Sequence, residues 1–256
     1  MRISGSAVGL LRARRAADAV QKINESLDRY PLATCCSACG SSEQFSVRPV
    51  IGRRLARQWG LDRTERAMVD IQQGHLCEGC GNNLRGRCLA DAILARLGIV
   101  GPLTTAWDRA SATRILEVNP AARLTPMLSK AAHHVCTSYP EVDIQALPFR
   151  DGEFDLVVHS DTLEHVPDPA LAIRECLRVA GSGWVVFTTP VLFDRLTRDR
   201  TRRPASYHGG DSGPSLVYWE FGADVVTFLL EAQATEIVVN RDGYPYACAF
   251  SCRRSG

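Results

Sequence analysis

The chain has 256 residues, 45% hydrophobic and 23% charged, with a formal net charge of +2. That is enough chain for one full-sized core and a small extra module, and the near-neutral balance argues against a nucleic-acid-binding surface. No run approaches the roughly 18 apolar residues of a membrane span. No apolar core of a secretory leader precedes the first basic cluster, so the expected address is the cytoplasm.

Residues 7–30 carry apolar side chains at a loose helical period (Ala7, Val8, Leu10, Leu11, Ala17, Val20, Ile23, Leu27), and a helix is expected to end before Pro31. Residues 34–88 hold four of the ten cysteines in two spaced pairs, with Leu55, Trp59 and Leu61 between them as a small core. Leu84 to Leu97 reads as a second helix, stopped by Gly98 and Pro102. Beyond it the texture changes to alternation. Strands are expected at Arg114–Val118, at 133–138, at Phe154–Val158 and at 183–188. Helices are expected at 124–132 and at 169–179, the latter with Pro169 at its start. A helix over 221–232 and a hairpin of 235–239 with 246–250 complete the chain. Alternating strands and helices imply a doubly wound, mainly parallel α/β sheet. The boundary is drawn at residue 100: a helix and cysteine module over 1–100, the α/β domain over 101–256. The arginine run from Arg195 to Arg203 lies in a polar stretch, 194–215, expected as a solvated loop over the site.

Cys36-Ser-Ala-Cys39-Gly40 and Cys77-Glu-Gly-Cys80-Gly81 are near copies of one unit. Two intervening residues let both sulfurs reach one ion, and the glycine relieves the tight turn that aims them. Two units supply four thiolates, a closed tetrahedral shell for structural zinc. Cys35 stands next to a ligand and is an alternative to it. Cys88, Cys136 and Cys176 read as buried packing residues.

The segments Asp143-Ile-Gln-Ala-Leu-Pro-Phe149, Asp151-Gly-Glu-Phe-Asp-Leu-Val-Val158 and Leu163-Glu-His-Val-Pro-Asp-Pro169 come in order. With Arg174-Glu-Cys-Leu-Arg-Val179 and Gly181-Ser-Gly-Trp-Val-Val-Phe-Thr188 they resemble the class I S-adenosylmethionine-dependent methyltransferases of the type 11 kind. The front half is similar to a subgroup in which a C-x-x-C zinc module precedes the catalytic domain. The resemblance implies a Rossmann-like fold and the cofactor S-adenosylmethionine. It places Glu117, Asn119 and Ala121 in the loop that cradles the methionine end of that cofactor. Ser138 and Tyr139 fall where ribose is held, Asp143 and Ile144 at the adenine, and His159 and Ser160 beside the sulfonium. The loop departs from the family's E-x-G-x-G-x-G: here it reads Glu117-Val-Asn-Pro-Ala-Ala-Arg123, without glycine, and Ser138 stands where an acid is usual.

For the chemistry, His165 is a candidate base, with a capping or supporting histidine as the alternative. Tyr207 and His208, in the polar loop, are candidates for catalysis and for acceptor recognition, with a flexible surface loop as the alternative. His133 and His134 read as structural residues lacking partners. The expected function is methyl transfer to a small molecule, such as a tailoring step of secondary metabolism. The alternatives are non-methylating chemistry in an altered cofactor site, or a non-catalytic binding subunit.

Overall fold

The computed structural model of the chain describes residues 18–42, 44–208 and 215–254. Helix α1 (18–29) stops just before Tyr30 and Pro31, and buries Ile23. The part of the expected first helix before residue 18 lies outside the described residues. Strands β1 (Phe45–Val47) and β2 (His75–Cys77) pair antiparallel, Phe45 facing Cys77. Between them run α2 (Arg53–Gln58) and α3 (Arg63–Gly74). Asp62 opens α3 with a reciprocal capping box to Glu65, its carboxylate accepting the Glu65 amide at 2.8 Å. Helix α4 (Leu84–Leu97) is capped by the Asn83 side chain and ends at Gly98, which takes the left-handed conformation (φ 66°) that this cap requires.

A 3₁₀ turn and the short α5 (Trp107–Ala110) lead to β3 (Arg114–Val118), α6 (Thr125–Leu128), β4 (His133–Thr137), β5 (Leu156–Ser160), α7 (Pro169–Ala180) and β6 (Trp184–Thr188). Short strands follow: β7 (Val191–Leu192), β8 (Arg198–Asp199), β9 (Tyr207–His208), β10 (Ser215–Leu216) and β11 (Trp219–Gly222). Helix α8 (Val226–Glu231), β12 (Glu236–Asn240) and β13 (Ala249–Arg253) close the chain. The central sheet has six strands in the order β12–β13–β6–β5–β3–β4. Strands β4, β3, β5 and β6 are parallel, β13 runs antiparallel to β6, and β12 antiparallel to β13. The doubly wound, mainly parallel sheet expected from the sequence is therefore the fold.

Side-chain alternation divides the core. Ile115, Leu156, Val158 and Val186 face Leu89 and Ile93 of α4, in the same cluster that holds Cys36 and Cys77. Leu116, Val157, Val185 and Phe187 face Ile173 and Leu177 of α7. The helix that follows the second cysteine pair is thus one of the layers covering the sheet.

Three local expectations are corrected. The helix over 124–132 is a single turn. The helix over 221–232 begins only at Val226, because Phe221 is held in β11 by pairing with β7. Cys136, expected to be buried, is exposed, since β4 is the edge strand and has its other neighbour missing. Among the described residues no helix is long and apolar enough to cross a membrane.

Candidate active site

The two cysteine units fold as matching turns. In each, the first cysteine's carbonyl accepts from the glycine amide, Gly40 to Cys36 and Gly81 to Cys77, both at 2.7 Å. Both glycines have left-handed backbones (φ 82° and 70°), which a β-carbon would strain. The turns bring Cys36 Sγ to 3.7 Å from Cys80 Sγ and Cys39 Sγ to 3.6 Å from Cys77 Sγ, with all four within 4.8 Å of one another. Four sulfurs bound to one zinc ion lie about 3.8 Å apart. The residues therefore fit a closed zinc shell. Cys35 is exposed, with its thiol on the Gly40 carbonyl, and stands outside the cluster.

The second cluster lies at the carboxyl ends of the parallel strands. Glu117, fully buried at the end of β3, folds its own loop back on itself: its carboxylate accepts from the Ala121 amide and the Thr125 hydroxyl, each at 2.7 Å. Its other oxygen is 2.8 Å from His134 Nε2, so His134, expected to lack a partner, has one. The loop makes its turns without glycine by placing Asn119 (φ 58°) and Ala122 (φ 54°) in the left-handed region. Asn119 spans the strand tips, accepting from the Tyr139 amide at 2.9 Å and donating to the Thr162 hydroxyl at 3.3 Å. The Arg123 side chain packs over Gly81 and is exposed, so it does not fill the cleft. Asp143 is half-buried and, among the described residues, its carboxylate accepts only from Gln145. Ser138 and Tyr139 are exposed beside it, and Ile144 is buried beneath.

These residues fit a nucleoside-bearing cofactor: a carboxylate with acceptor capacity to spare, exposed ribose-side residues, and a loop whose bulky arginine turns outward. Asn119, Ala121, Ser138, Tyr139, Asp143 and Ile144 are the residues that would hold it. His159 does not join them. It lies inside the sheet, its ring stacked on Phe187 with centroids 4.8 Å apart, and burial depresses it to about 3. Ser160 is buried too and donates to Asp161.

Past β5, a 3₁₀ turn (Leu163–His165) presents Glu164 and His165. His165 Nδ1 is 2.8 Å from the Leu216 carbonyl, which can only accept, so Nδ1 carries the proton and Nε2 is the basic nitrogen. Glu164 is 2% exposed; one oxygen accepts from Thr189 at 3.0 Å and the other, without a partner, lies 3.9 Å from His165 Nε2. Burial first, then the nearby Asp161 charge, raises this carboxyl above the ordinary range. The His208 ring meets His165 edge-on at 4.8 Å and Trp59 at 5.2 Å, and burial with the neighbouring His165 lowers it to about 4. Glu164, His165 and His208 thus converge within 4.8 Å, as a set that could also hold an ion. Tyr207, on the opposite side of β9, is 56% exposed and does not join them.

Residues 97–187 match the family described as "Methyltransferase domain". That stretch of the chain is thus similar to a methyltransferase domain. Over 151 residues it is 34% identical to the ubiquinone biosynthesis O-methyltransferase of Albidiferax ferrireducens, covering 52% of this chain and 53% of that protein. A probable S-adenosylmethionine-dependent methyltransferase of Mycobacterium tuberculosis is 39% identical over 66 residues, 23% of this chain and 24% of that one. The chain thus spans about half or less of the curated relatives it matches. Among solved structures, the trans-methyltransferase CalH in complex with SAH aligns at TM-score 0.40 and 16% identity, over 60% of this chain and 54% of that one. The [4+2]-cyclase SpnF aligns at 0.38 and 15%, over 93% and 94%.

Around the carboxyl ends of the strands stand residues that spacing alone did not single out. Arg85 of α4, almost fully buried, pairs with Asp161 at 2.8 Å and donates to Gln72 at 3.1 Å. A cavity of about 20 Å³, room for about one water molecule, is lined by Trp59, Gln72, Glu164, His208 and Trp219. The arginine run expected to be a solvated loop is partly internal. Arg195 and Arg200 are almost buried; Arg195 pairs with Glu65 at 2.6 Å and Arg200 with Glu220. No local pattern marks Glu65 and Glu220 as partners of that run, since they lie in elements far from it in sequence.

Proposed function

We propose that the methyltransferase domain moves a methyl group from S-adenosylmethionine to a hydroxyl of a small molecule, with His165 as the base. The observation that carries this reading is the fixed tautomer of His165. The Leu216 carbonyl holds the Nδ1 proton, so Nε2 faces the Glu164 carboxyl as a free acceptor, and 16% of the side chain stays open to approach. When bound, S-adenosylmethionine supplies an activated methyl on a positive sulfur, which leaves the chain two tasks. One is to hold the acceptor in line; the other is to receive its proton. Nε2 takes that proton from the hydroxyl, and the Glu164 carboxylate steadies the imidazolium that results. Trp59, Trp219 and His208 border the small cavity beside it, which has room for the hydroxyl of an acceptor rather than its ring. The similarity to O-methyltransferases of a small-molecule pathway supports the same acceptor class. A tailoring step of secondary metabolism is the finer reading we favour.

A second reading has an observation of its own. Asn119 stands at the first glycine position of the loop with its amide bonded across the strand tips, as expected of a cleft turned to chemistry without methyl donation. Calorimetry with S-adenosylhomocysteine separates the two. Micromolar binding supports methyl transfer, and no heat at millimolar ligand supports the second reading. With binding in hand, His165→Ala should keep it while transfer of labelled methyl to a phenol panel falls about 10²- to 10⁴-fold. Unchanged transfer would remove His165 from the role.

A further inference from the structure

The loop after β3 has lost its glycines, yet it keeps two left-handed residues. Non-glycine residues persist there only where surrounding contacts over-determine them. Asn119 is held by the strand tips, and beside Ala122 the contacts come from the zinc turn. Asn82, two residues past Cys80 and fully buried, holds Arg123 by both backbone groups: its Oδ1 accepts from the Arg123 amide at 3.0 Å, and its Nδ2 donates to the Arg123 carbonyl at 3.3 Å. The same Nδ2 lies 3.4 Å from Cys80 Sγ, and the Asn82 carbonyl accepts from the Cys77 amide at 2.9 Å. One side-chain amide therefore touches both a cysteine sulfur of the cluster and the cofactor loop. Packing repeats the link. A β-carbon on Gly86, in the first turn of α4, would meet Ala122 Cβ at 3.0 Å, and one on Gly81 would meet Arg123 Cδ at 3.2 Å.

We propose that Asn82 is a positioning residue that couples the metal state of the four-cysteine centre to the shape of the cofactor loop, so that zinc and S-adenosylmethionine each favour the other's binding. The inference rests on the methyl-transfer reading above. With zinc in place the ion would draw the four thiolates together and close the turn, which fixes Asn82 and so holds Arg123. Without zinc nothing draws the four sulfurs together, the Cys77 amide bond to Asn82 loosens, and Ala122 can leave its strained conformation. Binding linkage is reciprocal, so a ligand that needs the held loop must also retard loss of the metal.

The test measures S-adenosylhomocysteine affinity by calorimetry and zinc transfer to a coloured chelator, in the full chain and in Asn82→Ala. The unaltered chain should hold one zinc, and saturating S-adenosylhomocysteine should slow its transfer several-fold. Asn82→Ala should keep its zinc, bind S-adenosylhomocysteine about tenfold more weakly, as expected for two lost hydrogen bonds, and show no slowing of zinc transfer. Should that variant lose its zinc, hydrogen exchange of the unaltered chain carries the test: stripping zinc should speed exchange of the Arg123 amide, and unchanged exchange overturns the proposal. Wild-type affinity in zinc-loaded Asn82→Ala also overturns it and leaves the methyl-transfer reading standing. No binding to the unaltered chain removes both.

Discussion

The two zinc turns and the cofactor loop solve the same local problem by opposite means. Each turn needs a left-handed residue after its second cysteine and uses glycine there, Gly40 at φ 82° and Gly81 at φ 70°. The cofactor loop needs left-handed residues at 119 and 122 and uses asparagine and alanine. A turn closed by its own backbone hydrogen bond needs residues that already prefer the shape. A loop clamped by neighbours can accept residues that do not, at a cost of about 1–2 kcal/mol each. The turns are therefore self-sufficient and written in local sequence, whereas the loop borrows its shape from Asn82, 41 positions away from Arg123.

The largest expected effect sharpens that contrast from the metal side. Cys80→Ser leaves three thiolates and should take zinc from one per chain to none. Because Cys36 and Cys77 share a core cluster with α4 and the sheet, the loss reaches the whole domain. A structural zinc site is worth several kcal/mol, and we expect Tm to fall by roughly 10 °C or more. Cys35→Ser, outside the cluster, should leave zinc content and Tm unchanged. Metal analysis and calorimetric scanning of the two variants measure the difference. A zinc-free Cys80→Ser protein that melts with the wild type would show the turns to be ornament.

The second effect is on acid stability and lies at the root of the loop. His159 sits on β5 opposite Val118, the last residue of β3, with both ring nitrogens buried and unpartnered. Its value of about 3 in the fold lies below the ordinary 6.5 of imidazole. Above pH 6.5 neither state is protonated there and the group adds no pH dependence. As pH falls from 6.5 toward 3, the unfolded chain takes up a proton that the fold refuses. Stability then drops by about 1.4 kcal/mol per pH unit from this site, or about 2 kcal/mol at pH 5. His159→Phe should remove one proton from the slope of unfolding free energy against pH between 6.5 and 4. Comparing the two proteins cancels proton uptake by the thiolates, which both share. Equal slopes would mean that the imidazole is hydrated or charged in the fold.

How much could be read in advance follows the same division. The cysteine pairs and the parallel alternation were legible because each is a local pattern imposed by geometry, and the segment from Asp143 to Pro169 because it resembles a known family. His165 was legible as a histidine after a strand, but its tautomer depends on Leu216, and its neighbour His208 comes from across a long segment. His159 was misplaced for a physical reason: the residue ending a parallel strand can point along the cleft or into the layer beneath, and one-residue alternation decides which. The arginine run read as solvated because charge is usually outside. Its burial needed Glu65 and Glu220, which only the fold brings close.

The smallest effects test the comparison most directly, since they exchange the two residue types. Gly81→Ala puts a β-carbon on a left-handed backbone and 3.2 Å from Arg123 Cδ, a flexible neighbour that can give way. The strain remains, and the loss should be about 1–2 kcal/mol, or roughly 3–6 °C in Tm. Ala122→Gly runs the other way. It relieves strain of about the same size, but the unfolded chain gains freedom that opposes folding by about 0.5–1 kcal/mol, so the net gain should be at most about 1 kcal/mol. If Asn82 is what holds Ala122 in its conformation, the gain should shrink in an Asn82→Ala background, where the loop has already relaxed. Two residues in one clamp should not add. A full, additive gain in that background would mean that the loop keeps its left-handed turn unaided, and that its missing glycines need no help from the zinc turn.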